Sequence, residues 1–311
     1  MPGCRLQCCN IGVASAIRLL AVGDRLKGER LVDLSGQAFC DVDNGAPAAS
    51  FIAYLDQATF HFRGVKRFAR SLLELAPGEK VLDVGCGCGH DVLELQALVG
   101  PRGFAAGIDA SRTMIDEAQR RTRLAGQTIH LQVGTAYQLD WPEAYFDACY
   151  ADRVIQHLAE PEPALHEMLR VLSSDGRMVV IDRDWGMVDI DASDNKATDL
   201  VLNHAAEAIR NGRIGRELAT LLERRGFTQI DSHKKVIDIT SLSAVDTLLD
   251  LRVVLTHAVN EKRLAKDAAL RWLDDLEERD RSGTFHATVT LFVARGKKSR
   301  TSNASSSAPL G

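Results

Sequence analysis

The stretch KVLDVGCGCGHDVLELQALV, residues 80–99, constrains the fold more than any other part of the chain. A short apolar run ends in three alternating glycines, Gly85, Gly87 and Gly89, and a segment with helical periodicity follows. Glycine tolerates positive φ and lets the backbone approach another group closely. Strand, glycine turn and helix together form the opening of a βαβ unit, where the turn and the helix N-terminus face a ligand.

The pattern repeats. FAAGID (104–109), IHLQV (129–133), FDACYAD (146–152) and RMVVID (177–182) read as further strands, apolar at nearly every position, as in strands covered on both faces. HDVLELQALV (90–99) and residues 111–126 read as helices, the second with Ser111 as N-cap and Gly126 as stop. In the helix at 163–172, Ala164, Leu165, Met168, Leu169 and Leu172 share one face. This alternation predicts an α/β fold with a doubly wound, mostly parallel sheet. After Asp182 the rhythm changes. Residues 194–225 look helical with a break near Gly212, and 227–239 read as a strand. Helices are predicted over 243–260 and 265–281, the second with a stripe of Ala269, Trp272, Leu273 and Leu276. GTFHATVTLFVARG (283–296) alternates as a last strand, paired antiparallel with the one before it. The helical insert before that strand either walls a substrate pocket or closes the core.

Residues 1–45 carry no strong period and read as a poorly ordered leader. The main domain spans 46–295: N-terminal lid helices over 46–79, a ligand-binding core over 80–185 and a substrate-side half over 186–295. The basic, Ser-rich residues 296–311 read as a disordered tail. The net charge of −4 among 311 residues argues against a broad phosphate-binding surface and hence against a nucleic-acid partner. No apolar run approaches the roughly 18 residues of a membrane span. Seven cysteines, an odd number without a repeating framework, suggest reduced thiols in the cytoplasm. Cys86-x-Cys88 has no second pair at metal-binding spacing, so no metal is expected. Its thiols read as small fillers of the turn.

Two acids narrow the ligand. A dinucleotide fingerprint would place its third glycine at position 90, which is His90 here. Asp83 stands two residues before Gly85. A carboxylate is unfavourable beside a pyrophosphate and favourable beside a cation. S-adenosylmethionine carries a sulfonium and an ammonium and no phosphate, so Asp83 favours it over NAD. Asp109 ends the second strand, 20 residues past Gly89, where an acid can accept bonds from both ribose hydroxyls. Its alternative role is that of an acid at a helix N-terminus.

The run VLDVGCGCGHD … GIDAS … VGTAYQLDWPEAYFDACYADRVIQHL … EMLRVLSSDGRMVVIDRDWG resembles the class I S-adenosylmethionine-dependent methyltransferases. Within them it is most similar to the ubiquinone/menaquinone C-methyltransferase-like branch and to small-molecule tailoring enzymes. The resemblance covers about residues 50–295. It implies a seven-stranded Rossmann-like sheet with the last strand antiparallel. It also implies that the Asp83–Gly89 loop (Asp83, Gly85, Cys86, Gly87, Gly89) holds the methionyl part and Asp109 the ribose. Ser111 and Met114 would lie near ribose and adenine. The third-strand motif Gly-Asp-Ala is here Gly134-Thr135-Ala136, so Thr135 replaces the usual acid near the adenine amine. Asp152 and Arg153 would line the pocket near the methyl group.

Methyl transfer from a sulfonium mainly requires alignment of the nucleophile, and an oxygen or acidic carbon also needs a base. His157 is the candidate base; its alternative is a capping or packing role. Tyr54 and His61 are candidate lid contacts with substrate. Trp185 leaves the fifth strand at the carboxyl edge of the sheet, where it either walls an apolar substrate or packs in the core. An Asn/Asp-Pro-Pro-Tyr/Phe motif after the fourth strand is absent, YADR standing there instead. The expected acceptor is a small metabolite, methylated on oxygen, with a carbon or nitrogen of a quinone, polyketide or peptide-type metabolite as alternative. An NAD(P)-dependent oxidoreductase and a non-catalytic cofactor-binding subunit are the readings from other classes.

Overall fold

A computed structural model of the protein describes residues 42–44 and 48–299. The expectations for the leader up to position 41 and for the tail from 300 onward fall outside these residues.

Eight strands form one sheet. They are β1 (Lys80–Val84), β2 (Phe104–Asp109), β3 (His130–Val133), β4 (Phe146–Asp152), β5 (Leu172–Arg183), β6 (Asp189–Ile190), β7 (Phe227–Ile239) and β8 (Ala287–Lys298). The first five are parallel in the order β3-β2-β1-β4-β5. β8 runs antiparallel between β5 and β7, and the two-residue β6 extends the β5 side of β8. The seven long strands are those expected from the sequence.

Period-two alternation assigns each strand's side chains to two cores. Val81, Ala148, Tyr150, Val179 and Ile181 enter one cluster. Leu82, Cys149, Ala151 and Val180 enter the other. The first is covered by α1 (Ala48–Leu72), α2 (His90–Val99), α5 (Asn195–Ala208), α7 (Leu242–Leu249), α8 (Leu251–Asn260) and α9 (Lys266–Ser282). The second is covered by α4 (Pro161–Val171) and α6 (Leu218–Arg224). α3 (Arg112–Leu124) starts at Ser111, whose hydroxyl accepts the Met114 N–H as the capping pattern predicts. In α9, Trp272 is buried and donates its indole N–H to Thr198 Oγ1 of α5 at 2.9 Å.

Several boundaries differ from expectation. The segment 46–79 contains a single 25-residue helix, α1. β5 begins at Leu172, which was expected on the helix face, and not at Arg177: residues 173–176 form a bulge, with Asp175 at φ 63° and a register jump from Phe146↔Leu172 to Ala148↔Arg177. β8 runs to Lys298, so residues 296–298 belong to the sheet and not to the tail. The predicted helix 243–260 breaks at Asp250, which adopts φ 49°, ψ 45°. At the break the buried Arg183 guanidinium takes the Leu248 carbonyl at 2.9 Å, the Asp246 side chain accepts the Arg252 N–H, and aspartate tolerates the left-handed conformation of Asp250. Among the described residues no helix is long and apolar enough to cross a membrane.

Candidate active site

The glycine loop joins β1 to α2, and its backbone is tied to the end of β2. The Gly85 and Cys86 N–H groups both donate to the Ile108 carbonyl, at 2.7 and 3.0 Å. Gly85 lies at φ 73°, and a Cβ there would stand 2.3 Å from Val154 Cγ2. Only glycine fits both the conformation and the space. Gly89, at φ 83°, has a different reason: its Cβ would stand 3.0 Å from that of Ala118, so it lets α3 pack close.

Asp109 lies beside this loop. One carboxylate oxygen accepts the Gly87 N–H and the other the Ser111 N–H, each at 2.9 Å. Burial raises its pKa, while these backbone bonds pull it down. The Ser111 hydroxyl donates to Asp43, which also accepts the Arg112 and Thr113 N–H groups. That capping arrangement holds Asp43 well below the usual carboxylate range.

Asp83 is buried, and its Oδ2 has no hydrogen-bond partner among the described residues. Burial and the nearby Asp91, Asp152 and Asp109 push its pKa well above the ordinary range, against the pull of Lys66. Raised in this way the carboxyl favours its neutral form, and a cationic group brought to the loop would favour the ionised one. Lys66 is the counter-charge that sequence reasoning missed. It is buried on α1 and bridges Asp152 and Asp91, the latter at 2.5 Å. Arg70 holds Asp91 from the other side at 2.6 Å, and Arg153 contacts Asp152 at 3.1 Å. These cations hold Asp152 far below its usual pKa despite burial. The signal was legible: Lys66 interrupts the buried stripe Tyr54, Ala58, Phe62, Val65 and Ala69 of an amphipathic helix.

Above the loop opens a cavity of about 350 Å³. One end is walled by Gly85, Gly87, Asp109, Met114, Thr135 and Ala136. Asp152, Arg153, His157, Tyr54 and Trp185 surround its middle. The far end is built by α5 and the broken α7–α8 pair, through Ala205, Ile209, Leu248, Leu249, Val253 and their neighbours. The insert therefore walls the cavity as well as the core. Sequence reasoning also missed His204, His257, Arg210 and Asp250 there, because only the tertiary fold turns these helices toward the loop.

Five sequence candidates lie elsewhere. Asp83 and Gly89 sit behind the loop. Ser111 is committed to its cap. The Cys86 side chain turns away onto β2, where a Cβ on Gly107 would meet its sulfur at 2.8 Å; burial drives its thiol pKa up. His61 does not line this cavity; two helical turns along α1 from Tyr54, it faces an adjoining depression with Ser241, Ser243 and Thr247, and Tyr54 and Asp250 border both. Cys88 is likewise packing, 3.5 Å from Met114 Sδ, with its thiol pushed up to about 12 by burial.

His157 sits in a single 3₁₀ turn, Ile155–His157, directly after β4. The preceding Gln156 is buried and touches Trp185 and His157 with its side chain. Trp185 is held in turn by the Arg183 guanidinium, 4.4 Å from its ring centroid.

Residues 75–226 match the family described as "Methyltransferase domain". The chain is 36% identical over 267 residues to an uncharacterised 37.1 kDa protein in transposon TN4556 of Streptomyces fradiae, covering 84% of this chain and 73% of that one. It is 31% identical to the O-methyltransferase cnsE of Penicillium expansum, over 55% of this chain and 57% of that protein. It is 28% identical to the ubiquinone/menaquinone biosynthesis C-methyltransferase UbiE of Vibrio cholerae, over 38% of this chain and 46% of that protein. The last two matches span only about half the length of those relatives. The YcgJ protein of Bacillus subtilis shares the fold, with a TM-score of 0.54 at 19% identity, covering 77% of this chain and 99% of that one. With its glycine loop, its paired acids and these similarities, the chain belongs to the class I S-adenosylmethionine-dependent methyltransferases, and the oxidoreductase reading is set aside.

Proposed function

We propose that the protein transfers a methyl group from S-adenosylmethionine to an oxygen of a small, largely apolar metabolite. The observation that carries this reading is one cavity lined both by the glycine loop and Asp109 and by largely apolar side chains of α5, α7 and α8. Its volume of about 350 Å³ lies in the range of small-molecule sites. The similarity to an O-methyltransferase supports oxygen as the acceptor atom; the similarity to a C-methyltransferase keeps carbon as the second reading.

The residues fit the cofactor. Gly85 and Gly87 leave room for its methionyl part, Asp83 and the Lys66–Asp91–Asp152 cluster set the charge beneath it, and Asp109 receives the ribose hydroxyls. Met114, Thr135 and Ala136 border the adenine. When bound, the cofactor supplies a methyl group already activated on sulfur. The protein's own work is to align the acceptor against that group and exclude water. Leu248, Leu249, Val253 and Trp185 wall the acceptor, and the polar lining of the same cavity includes Tyr54, Arg153, His157, His204 and His257.

The test is incubation of the purified protein with methyl-labelled S-adenosylmethionine and panels of phenolic, enolic and amine metabolites. Label in a phenolic or enolic ether is the expected result. Label appearing only in nucleic acid or protein would overturn the reading.

A further inference from the structure

Gln156 is 3% exposed, and every polar group it owns is engaged. Its backbone N–H donates to Asp182 Oδ2 at 3.3 Å, and its carbonyl accepts the Asn211 N–H at 3.0 Å. The side chain meets three partners: Trp185 Nε1 at 2.9 Å, the Arg153 carbonyl at 3.4 Å and His157 Nε2 at 3.1 Å.

These partners determine where the protons are. An indole N–H can only donate, so the atom facing Trp185 is the amide oxygen. The amide nitrogen then faces the Arg153 carbonyl and His157 Nε2, which is consistent because a carbonyl can only accept. An amide nitrogen only donates, so His157 Nε2 must accept. A neutral imidazole that accepts at one nitrogen carries its proton on the other.

We infer that Gln156 is a positioning residue that locks His157 in the Nδ1–H tautomer, with Nε2 held by the Gln156 amide and so not placed to act as a base. A proton added at Nε2 would set donor against donor across the Gln156 contact. The role of His157 toward an acceptor rests on the methyl-transfer reading; its tautomer does not.

The test is long-range proton–nitrogen correlation on the full chain labelled with ¹⁵N-histidine and saturated with S-adenosylhomocysteine. Signals of His157 are identified by their loss in His157→Gln. The expected wild-type pattern is a neutral ring protonated at Nδ1 with a bare Nε2. Gln156→Glu replaces the donor by an acceptor and is expected to place a proton on Nε2. A wild-type ring protonated at Nε2, or averaging between both tautomers, overturns the inference, as does a Gln156→Glu ring that keeps Nε2 bare. If Gln156→Glu fails to bind S-adenosylhomocysteine, the wild-type spectrum alone decides. No acceptor is needed, so a failed methyl-transfer assay and a failed tautomer assignment are separate results.

Discussion

The two ends of the cavity are built by different means. The cofactor end is made of backbone: glycines at positive φ, N–H groups tied to Ile108 and Asp109, and a helix start capped by Ser111. The acceptor end is made of side chains on α5, α7 and α8, whose helices meet the loop only through long-range contacts. Backbone geometry tolerates little substitution, because a single Cβ can occupy the space a ligand or neighbour needs. A wall of apolar side chains can be repacked with modest loss. The first end is suited to one invariant ligand, and the second to acceptors that differ between relatives.

That contrast is sharpest at Gly85. Gly85→Val places a branched side chain at φ 73° against Val154, and S-adenosylhomocysteine affinity measured by calorimetry is expected to fall more than about 100-fold. Affinity within tenfold of wild type would break the backbone account of this end. Next in size is Lys66→Ala, which strands the buried carboxylates of Asp91 and Asp152. Removing one partner of a buried pair costs about 3–5 kcal/mol, read as a lowered midpoint in denaturant unfolding. An unchanged midpoint would show that the cluster is not coupled to the fold.

Asp83→Asn is expected to weaken cofactor binding about tenfold, the scale of one hydrogen bond to a charged group. It should also flatten the pH dependence. Asp83 has a raised pKa in the free protein, so its ionised form, which attracts the cationic ligand, accumulates only as pH rises through that pKa. Affinity therefore tightens with pH above the ordinary carboxylate range, and titrations at stepped pH read the slope. The sign for stability is opposite: a carboxyl raised on folding stabilises below its unfolded pKa, and that contribution is lost as pH rises through the folded value. Equal slopes for wild type and Asp83→Asn would remove Asp83 from the site. The smallest effect is expected at the exposed end of α8. His257→Ala should leave S-adenosylhomocysteine affinity within about twofold and change only the KM of an acceptor. A large loss of cofactor affinity there would show that the two ends are not independent.

Legibility in the sequence followed the same division. The strand–glycine–helix unit and the Ser111 cap could be read because each depends on neighbours within a few residues along the chain. The two glycine reasons could not be separated: Gly85 yields to Val154 and Gly89 to Ala118, both distant in sequence. Cys86 and Ser111 were grouped with the ligand because they lie in the right segments, yet one side chain points into β2 and the other into its own cap. Lys66 carried a signal in the apolar stripe of α1, but its partners Asp91 and Asp152 lie 25 and 86 residues away.

The sequence by itself determined the layer architecture and the glycine loop, because strand periodicity and glycine conformation are local properties. Tertiary structure alone decided the acceptor end. At the break between α7 and α8 Arg183 takes the Leu248 carbonyl, 65 residues away, and Trp185 orients the Gln156 amide toward His157. Both depend on a donor meeting an acceptor across the fold, and no local pattern in the chain encodes which partner a buried polar group will find.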